Sequence, residues 1–166
     1  MSPIHSFPPV ADKQATALIL GSMPGKKSLK QQQYYAHPQN AFWKIMGDLV
    51  SAHPTLPYPQ RLHALTAAHI ALWDVLHTCE REGSLDSDIE QEKANDFVAF
   101  FARHPNITRV YFNGAKAEQS FKKFVLEKQK LPPLVFVRLP STSPAHAGMR
   151  YEEKLRVWGE AIGLRS

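Results

Sequence analysis

The chain has 166 residues, of which 43% are hydrophobic, so it is long enough for one folded domain with a substantial core and too apolar to be disordered. No apolar run approaches the roughly 20 residues that a membrane helix needs, and the N-terminus lacks the charged and apolar segments of a secretory signal, so we expect no membrane association. The single cysteine, Cys79, excludes an internal disulfide and a cysteine-based zinc site and favours a reducing, cytoplasmic setting, whereas the eight histidines leave a histidine and carboxylate site open.

Charge is unevenly distributed along the chain. The formal net charge is +5, yet seven of the fifteen acidic residues lie between Glu80 and Asp96. The rest of the chain is therefore strongly basic, which is compatible with a polyanionic partner. Charge that serves only solubility explains the composition equally well, so the motifs must decide.

Apolar, β-rich runs alternate with helical patterns. In chain order the patterns predict a strand at 15–22, a helix at 40–51, a strand at 69–75, a helix at 91–103, a strand at 107–114, a helix at 115–129, a strand at 133–141 and a helix at 150–164. The strand runs are nearly continuous, which is typical of strands covered on both faces. We therefore predict an α/β fold, a three-layer α/β/α sandwich with a short, four-stranded, mainly parallel central sheet. Residues 1–166 form a single domain in this prediction, with residues 1–14 as an N-terminal extension.

The loops of unusual composition all follow predicted strands, at 21–43, 74–88, 113–114 and 139–150. In open parallel sheets, ligands bind beyond the carboxyl ends of the strands. The sequence therefore predicts a functional site at one edge of the sheet.

The first of these loops opens with "GSMPG", residues 21–25. Glycine lets the backbone approach a ligand closely and Pro24 stiffens the turn, but the Lys-Ser/Thr pair of a phosphate-binding P-loop is missing. The loop continues with "YYAHPQNAFW", residues 34–43, which is uncharged and rich in aromatic rings and amides. Asn40 offers a carbonyl acceptor and an amide donor, and it also suits a helix N-cap. We assign Phe42 and Trp43 to the core.

Together with "LPSTSPAHAG", residues 139–148, these motifs resemble the uracil-DNA glycosylase superfamily over roughly residues 15–163. The closer match is the branch that excises hypoxanthine, the deoxyinosine glycosylases, through "GSMPG", "YYAHPQNAFW", "LPSTSPA" and "WDVLHTCEREGSLDSDI" at 73–89. The resemblance implies a uracil-DNA glycosylase-like fold and a monofunctional DNA glycosylase of base excision repair. Such an enzyme flips a deaminated base out of DNA and hydrolyses its N-glycosidic bond. It needs no metal or cofactor, and we expect it to act as a monomer.

The resemblance assigns Asn40 as the catalytic residue, which positions the attacking water. The wider superfamily usually has a catalytic Asp or Asn in the turn after the first strand, where this chain has Ser22 and Met23, and neither can do that work. Asp74 matches the residue that reads the base edge, usually an asparagine. An ionised Asp74 could accept the N1–H of hypoxanthine or the N3–H of uracil equally well, or it could cap a neighbouring turn.

The remaining site residues follow from the same resemblance. We expect Tyr34 or Tyr35 to stack on the base, and His37 to shape its loop or to act as a general acid. Asn113 contacts the base or, as we favour, caps the next helix. The complete predicted base pocket comprises Ser22, Met23, Tyr34, Tyr35, His37, Asp74 and Asn113, with Arg81, Ser84 and Asp86 as further candidates.

The predicted DNA-binding residues are Gly25, Lys26, Ser141, Thr142, Ser143, Ala145 and His146. The serines and Thr142 match the part of the superfamily's loop that pins phosphates, although serines in such a turn also bond to their own backbone. Ala145 and His146 lie where a side chain enters the gap left by the flipped base. Leu139 stands where the uracil-specific branch has a catalytic histidine, which argues against that branch's mechanism.

Three alternatives stay open at this point. The first is a glycosylase of the same fold that is specific for uracil or for a mismatched pyrimidine. The second is a catalytically weak DNA-binding relative, which the Ser22–Met23 departure favours. The third is an α/β enzyme that binds a small nucleotide at the same edge of the sheet.

Overall fold

A parallel sheet of four strands forms the centre of the fold in a computed structural model that describes residues 3–82 and 85–163. In chain order the strands are β1 (Ile4–His5), β2 (Ala17–Gly21), β3 (Ile70–Asp74), β4 (Leu76–Glu80), β5 (Glu90–Ala94), β6 (Arg109–Asn113) and β7 (Val135–Leu139). The central sheet has the order β3-β2-β6-β7, and all of its neighbouring strands run parallel. The four predicted strands of a parallel sheet are confirmed.

Helices cover both faces of this sheet. They are α1 (Lys26–Gln31), α2 (Phe42–Val50), α3 (Tyr58–Ala67), α4 (Phe97–Arg103), α5 (Ala115–Phe121), which continues into a π-helical turn at Lys122–Leu126, and α6 (Tyr151–Ile162). Successive residues of a strand point to opposite faces. Leu18 and Leu20 pack with the phenylalanines of α4 and α5, whereas Ile19 packs with α2 and α6. The predicted three-layer sandwich is therefore confirmed, and Phe42 and Trp43 are core residues as expected.

A second sheet was not predicted. Strands β1, β4 and β5 form an antiparallel sheet in the order β1-β4-β5, with a short 3₁₀ turn at Asp86–Asp88 between the last two. The helix predicted at 91–103 was wrong in its first half, because Glu90–Ala94 pairs with β4. The helix begins only at Phe97, where the Asp96 carboxylate accepts a hydrogen bond from the Ala99 N–H at 3.1 Å and caps it.

The described part of the predicted N-terminal extension, residues 3–14, is an integral part of the domain. Ile4 lies opposite the buried Cys79 in the second sheet, and Val10 pairs with Leu72 beside the central sheet. The indole N–H of Trp73 donates to the carbonyl of Phe7 at 3.0 Å. Within the described part of the chain, none of the helices combines the length and the apolar character needed to span a membrane.

The register of the central sheet aligns the strand ends that carry the unusual loops. Gly21 at the end of β2 lies beside Asp74 at the end of β3, and Asn113 at the end of β6 lies beside Leu139 at the end of β7. The four loops that were singled out in the sequence therefore leave the sheet at the same edge.

Candidate active site

A cavity of about 850 Å³ opens at the carboxyl edge of the central sheet. It is walled by the turn after β2, the loop before α2 and the loop after β7, and by the ends of β3 and β6. The residues predicted for catalysis, for the base pocket and for DNA binding all contribute to its lining: Ser22, Met23, Gly25, Lys26, Tyr34, Tyr35, His37, Asn40, Asp74, Asn113, Ser141, Thr142, Ser143, Ala145 and His146. From among the three further candidates, Asp86 lines it as well. Sequence reasoning missed Leu85, which also lines the cavity and is 53% exposed.

The inner end of the cavity is a meeting point of Gly21, Asp74 and Tyr35. A Cβ atom on Gly21 would lie 2.6 Å from Oδ1 of Asp74 and 2.8 Å from the hydroxyl oxygen of Tyr35. Both distances are too short for real atoms, so a side chain at residue 21 would force the Asp74 carboxyl group and the Tyr35 ring to move. The missing side chain lets two polar groups converge on one point.

Asp74 is the most perturbed carboxyl group at this end of the cavity. Its side chain is 3% exposed, and its Oδ2 has no hydrogen-bond partner among the described residues. Burial raises the pKa of Asp74 to about 7; the negative charge of Asp86 adds to the rise, and the positive charge of Arg81 opposes it. Among the described residues no backbone N–H donates to either side-chain oxygen of Asp74, so the structure shows no capping of a neighbouring turn by this residue.

The turn after β2 is held by the acidic segment that follows β4. The Ser22 hydroxyl donates to Oδ1 of Asp86 at 2.6 Å, which brings Asp86 to the cavity wall. The Arg81 guanidinium donates to the carbonyl of Pro24 and is itself buried. Arg81 thus supports the turn from behind, and its candidacy as a pocket residue was wrong. The candidate Ser84 lies outside the described residues.

The two tyrosines of the loop before α2 are held differently. Tyr34 is fixed at three points: its N–H donates to the Tyr58 hydroxyl at 2.9 Å, its hydroxyl donates to the carbonyl of Pro8 at 2.9 Å, and its carbonyl accepts from the Trp43 indole at 2.8 Å. Tyr35 has a left-handed backbone with φ of 53°, and its ring stacks on Phe42 with centroids 4.2 Å apart. The Tyr35 hydroxyl is buried without a hydrogen-bond partner among the described residues. Burial and, secondly, the Asp74 charge raise the pKa of both phenols, so both stay protonated.

Asn40 ends the same loop and starts the next helix. Its Oδ1 accepts from the N–H of Phe42, the first residue of α2, at 2.9 Å. Asn40 therefore helps to cap this helix, although from the residue before the N-cap position that was predicted for it, which Ala41 occupies. The Asn40 N–H donates to the carbonyl of His37 at 2.9 Å, and Nδ1 of His37 accepts from the Gln39 N–H at 3.1 Å. His37 therefore shapes the loop, as expected. Asn40 still lines the cavity while it caps the helix.

Asn113 and Thr142 join two walls of the cavity. The Asn113 amide donates from Nδ2 to the Thr142 hydroxyl and accepts the Thr142 N–H at Oδ1, both at 2.9 Å. The favoured expectation that Asn113 caps α5 was wrong, because both ends of its amide are used by Thr142. The Thr142 carbonyl in turn accepts from the Ala41 N–H at 2.9 Å, which ties in the loop that carries Asn40.

The loop after β7 is built from serine turns. The Ser141 hydroxyl oxygen accepts from the Ser143 N–H at 3.1 Å, and the Ser143 hydroxyl oxygen accepts from the Ala145 N–H at 3.2 Å. The serines therefore do bond their own backbone. In each of these bonds the hydroxyl acts as an acceptor, so its proton remains available to donate to a ligand such as a phosphate.

Lys154 is a supporting residue that sequence reasoning missed. It is buried, and its ammonium group donates to the carbonyl of His146 at 2.8 Å, at the exposed tip of the same loop. Burial lowers the pKa of Lys154. A signal was present in the sequence, because residue 154 falls at helical spacing among Tyr151, Leu155 and Trp158, on the apolar face of α6.

This fold and this cavity define an α/β protein with a strand-end site that fits a small planar ligand, since its volume lies within the usual range for ligand pockets and its walls carry aromatic, amide and hydroxyl groups. Comparison with known proteins makes the class specific. Residues 8–161 match the model of the uracil DNA glycosylase superfamily. The chain belongs to this superfamily, as its sequence motifs predicted.

Two curated relatives from Methanosarcina are named "Hypoxanthine DNA glycosylase". The one from M. barkeri is 42% identical over 114 residues, which cover 68% of this chain and 72% of the relative. The one from M. acetivorans is 40% identical over the same share of each chain. A solution NMR structure of an M. acetivorans protein, provisionally described as a uracil DNA glycosylase, superposes with a TM-score of 0.76 at 31% identity, covering 97% of this chain and 99% of the other. The predicted resemblance to the hypoxanthine branch is confirmed by these relatives.

Proposed function

We propose that this chain is a monofunctional DNA glycosylase that removes hypoxanthine from deoxyinosine in DNA, in base excision repair. Membership of the superfamily supports the reaction class and the DNA substrate, as the sequence predicted. The observation that carries the choice of base is the similarity, at 42% and 40% identity, to two relatives that bear this activity in their names.

Tyr35 is the better candidate of the two tyrosines for stacking on the flipped base. Phe42 backs one face of its ring at 4.2 Å between centroids, which braces the ring against a planar ligand on the cavity side. Tyr34 is instead packed edge-on against Phe7 and is 3% exposed. Stacking of a base on an aromatic side chain contributes about 1–3 kcal/mol, which offsets much of the few kcal/mol that flipping requires.

Asn40 positions the water that attacks the sugar. A carbonyl oxygen has two lone pairs, so Oδ1 can accept from the Phe42 N–H and from a water at the same time. The bond between N9 of the base and C1′ of the sugar breaks, and the electron pair leaves with the base. The water oxygen bonds to C1′ and releases a proton, while the departing purine gains one from solvent. The cap fixes the amide before the substrate arrives, which is what transition-state stabilisation requires.

The loop after β7 holds the DNA backbone. Ser141 and Ser143 line the cavity together with Gly25 and Lys26, and their hydroxyl groups are free to donate, which suits contacts to phosphates on either side of the flipped nucleotide. His146 at the exposed tip enters the gap that the base leaves. A glycosylase of this kind requires no metal or cofactor, and we propose that the chain acts as a monomeric single domain in the cytoplasm.

The testing experiment compares duplexes that contain one inosine, one uracil or neither. Purified protein is incubated with each labelled duplex, alkali then cleaves abasic sites, and the Asn40→Ala variant controls for a contaminating glycosylase. We expect strand cleavage at inosine that depends on Asn40. Cleavage at uracil without cleavage at inosine would show that the substrate base is uracil and not hypoxanthine. The similarity to the NMR structure, which is provisionally described as a uracil DNA glycosylase, is the reason for including this alternative. Binding of DNA without base release on any duplex would instead identify a non-catalytic relative.

A further inference from the structure

Two buried polar groups at the inner end of the cavity have no partner in the described part of the chain. They are Oδ2 of Asp74 and the hydroxyl of Tyr35, and both residues line the cavity. Gly21 allows the two side chains to come together there, since a Cβ on residue 21 would lie 2.6 Å from the other carboxylate oxygen of Asp74, Oδ1, and 2.8 Å from the Tyr35 hydroxyl. Buried polar groups in proteins are almost always hydrogen-bonded, so a pair of orphans at the end of a cavity indicates that a ligand supplies the partners.

The charged and titratable groups around Asp74 do not supply a counter-ion in contact with it. Tyr35 and Tyr34 face it from the loop before α2, and both phenols are neutral. The hydroxyl of Tyr58, on α3, accepts a hydrogen bond from the Tyr34 N–H, and burial is the main cause that raises the pKa of Tyr58. Asp86 approaches from the 3₁₀ turn with a like charge.

Arg81 is the nearby cation. Its guanidinium donates to the carbonyl of Pro24 in the turn, and no hydrogen bond joins it to Asp74 among the described residues. Burial together with Asp86 outweighs its attraction, and the pKa of Asp74 stands at about 7. A substantial fraction of the molecules therefore carries a neutral carboxylic acid at neutral pH.

We propose that Asp74 binds the flipped base as a neutral carboxylic acid, whose carbonyl oxygen accepts from N1–H and whose O–H donates to O6 of hypoxanthine. This inference rests on the proposed function and specifies the protonation state in which the site works. A neutral carboxyl group carries one acceptor and one donor side by side, which matches the N1–H and O6 edge of the base. An ionised carboxylate could only accept, and it would leave O6 facing a negative oxygen in a buried site.

The neutral acid also assists the departure of the base. Negative charge builds on the purine as the bond to C1′ breaks, and part of it resides on O6. The O–H of Asp74 donates to that oxygen without losing its proton, so no proton transfer from Asp74 is needed. A carboxylate at the same place would repel the leaving base, and the ionised form of the enzyme is therefore the slow form.

The consequence is a pH profile that an amide at position 74 abolishes. Single-turnover excision of hypoxanthine by the native enzyme, at enzyme concentrations well below the Kd for the duplex so that the profile reports the free enzyme, is expected to fall above pH 7, by about tenfold for each unit once Asp74 is ionised. Asp74→Asn carries an acceptor and a donor at every pH, so we expect its rate to be level from pH 6 to pH 9 and to exceed the native rate at pH 9. Asp74→Leu, which has neither group, is expected to be at least tenfold slower than Asp74→Asn at every pH.

The comparison of the two profiles on the same duplex cancels effects of pH on the DNA and on the rest of the protein. Two results would refute the neutral-acid proposal while leaving the glycosylase assignment intact. The first is a native excision rate that does not change with pH. The second is an Asp74→Asn variant that thermal melting shows to be folded and whose excision rate falls with pH as the native rate does. If uracil replaces inosine as the substrate, the assignment of the base fails, yet N3–H and O4 of uracil present the same edge and the same comparison applies.

A second measurement does not depend on turnover. The carboxyl carbon of Asp74, identified in NMR spectra by its loss in Asp74→Asn, is expected to titrate near pH 7 and to titrate at higher pH when free hypoxanthine is added. A titration near pH 4 overturns the proposal even for an enzyme that releases no base, and a titration that does not move with hypoxanthine overturns it as well.

Discussion

Asn40→Ala tests the residue that carries the catalytic proposal. The substitution removes the hydrogen bond of 2.9 Å from the Phe42 N–H, and loss of a helix cap destabilises a protein by about 1 kcal/mol. Domains of this size are stable by roughly 5–15 kcal/mol, so the variant stays folded and its melting temperature falls by about 2–4 °C. Loss of one preorganised catalytic group lowers a rate by about 10²–10³-fold. We therefore expect excision of hypoxanthine to fall by at least a hundredfold.

Asn40→Ser separates the cap from the chemistry. A serine hydroxyl is a good N-cap, so this variant should melt close to the native protein, but its oxygen lies closer to the backbone and cannot reach the water as the amide does. Single-turnover rates on an inosine duplex, with enzyme in excess, and equilibrium binding to a duplex that carries an abasic site give the two readouts. We expect slow excision and native binding in both variants. Excision by Asn40→Ala within threefold of the native rate would reduce Asn40 to a cap and refute the mechanism.

Three further substitutions probe the loop after β7 and its supports. Lys154→Met keeps the aliphatic stem but removes the 2.8 Å hydrogen bond to the His146 carbonyl. We therefore expect the rate of excision from a duplex to fall about tenfold and the rate from single strands to change little. Equal losses on both substrates would contradict a role for Lys154 in holding open the gap in the duplex. Ser143→Ala should raise the Kd for an abasic duplex severalfold with a single-turnover rate within about twofold of native, and the reverse pattern would argue against phosphate pinning. Gly114→Ala forces a side chain into a backbone with φ of 95° and to within 3.0 Å of the Ser141 Cβ, so thermal melting should show a loss of about 1–3 kcal/mol; a native melting curve would contradict this strain.

The central sheet was predictable because three of its strands, β2, β3 and β6, are buried on both faces, whereas the edge strand β7 is largely exposed. Nearly continuous apolar runs such as 15–22 and 107–114 leave little choice other than a covered parallel strand, and the observed strands lie inside the predicted ranges. The second sheet lacked this signal. Strand β5 reads "EQEKA", which is almost entirely polar and partly exposed, and it becomes a strand only because β4 pairs with it.

Helices α1 and α3 escaped prediction for a related reason. Helix α1 has only six residues, most of them exposed, and lies within a loop. Leu65 is the one fully buried residue of α3. Helices with so narrow an apolar face show little periodicity, so their formation depends on capping and on contacts that are distant in sequence.

The location of the site followed from topology, whereas the hydrogen bonds within it did not. Parallel strands bring the loops at their carboxyl ends together whatever those loops contain, so a shared cavity could be predicted from strand positions alone. The pairing of Asn113 with Thr142 spans 29 residues and that of Arg81 with Pro24 spans 57. Neither pair has a local pattern. A local rule for asparagine after a strand favours capping, and here a tertiary contact prevailed over it.

The contacts of Ser22 and Met23 explain what these residues do in the turn after β2, where the wider superfamily usually has a catalytic Asp or Asn. Ser22 is held by Asp86 at 2.6 Å, and Met23 is buried in the core, so both positions serve the shape of the cavity wall. In the proposed mechanism the chemistry then falls to two side chains on separate elements: Asn40, held at the start of α2, and Asp74, buried at the end of β3. Asp86 links the two features, because the carboxylate that fixes Ser22 also raises the pKa of Asp74 by like-charge repulsion. If Asp74 acts as proposed, the shape of the first turn and the protonation state of Asp74 both depend on Asp86, and we expect a substitution at Asp86 to disturb both together.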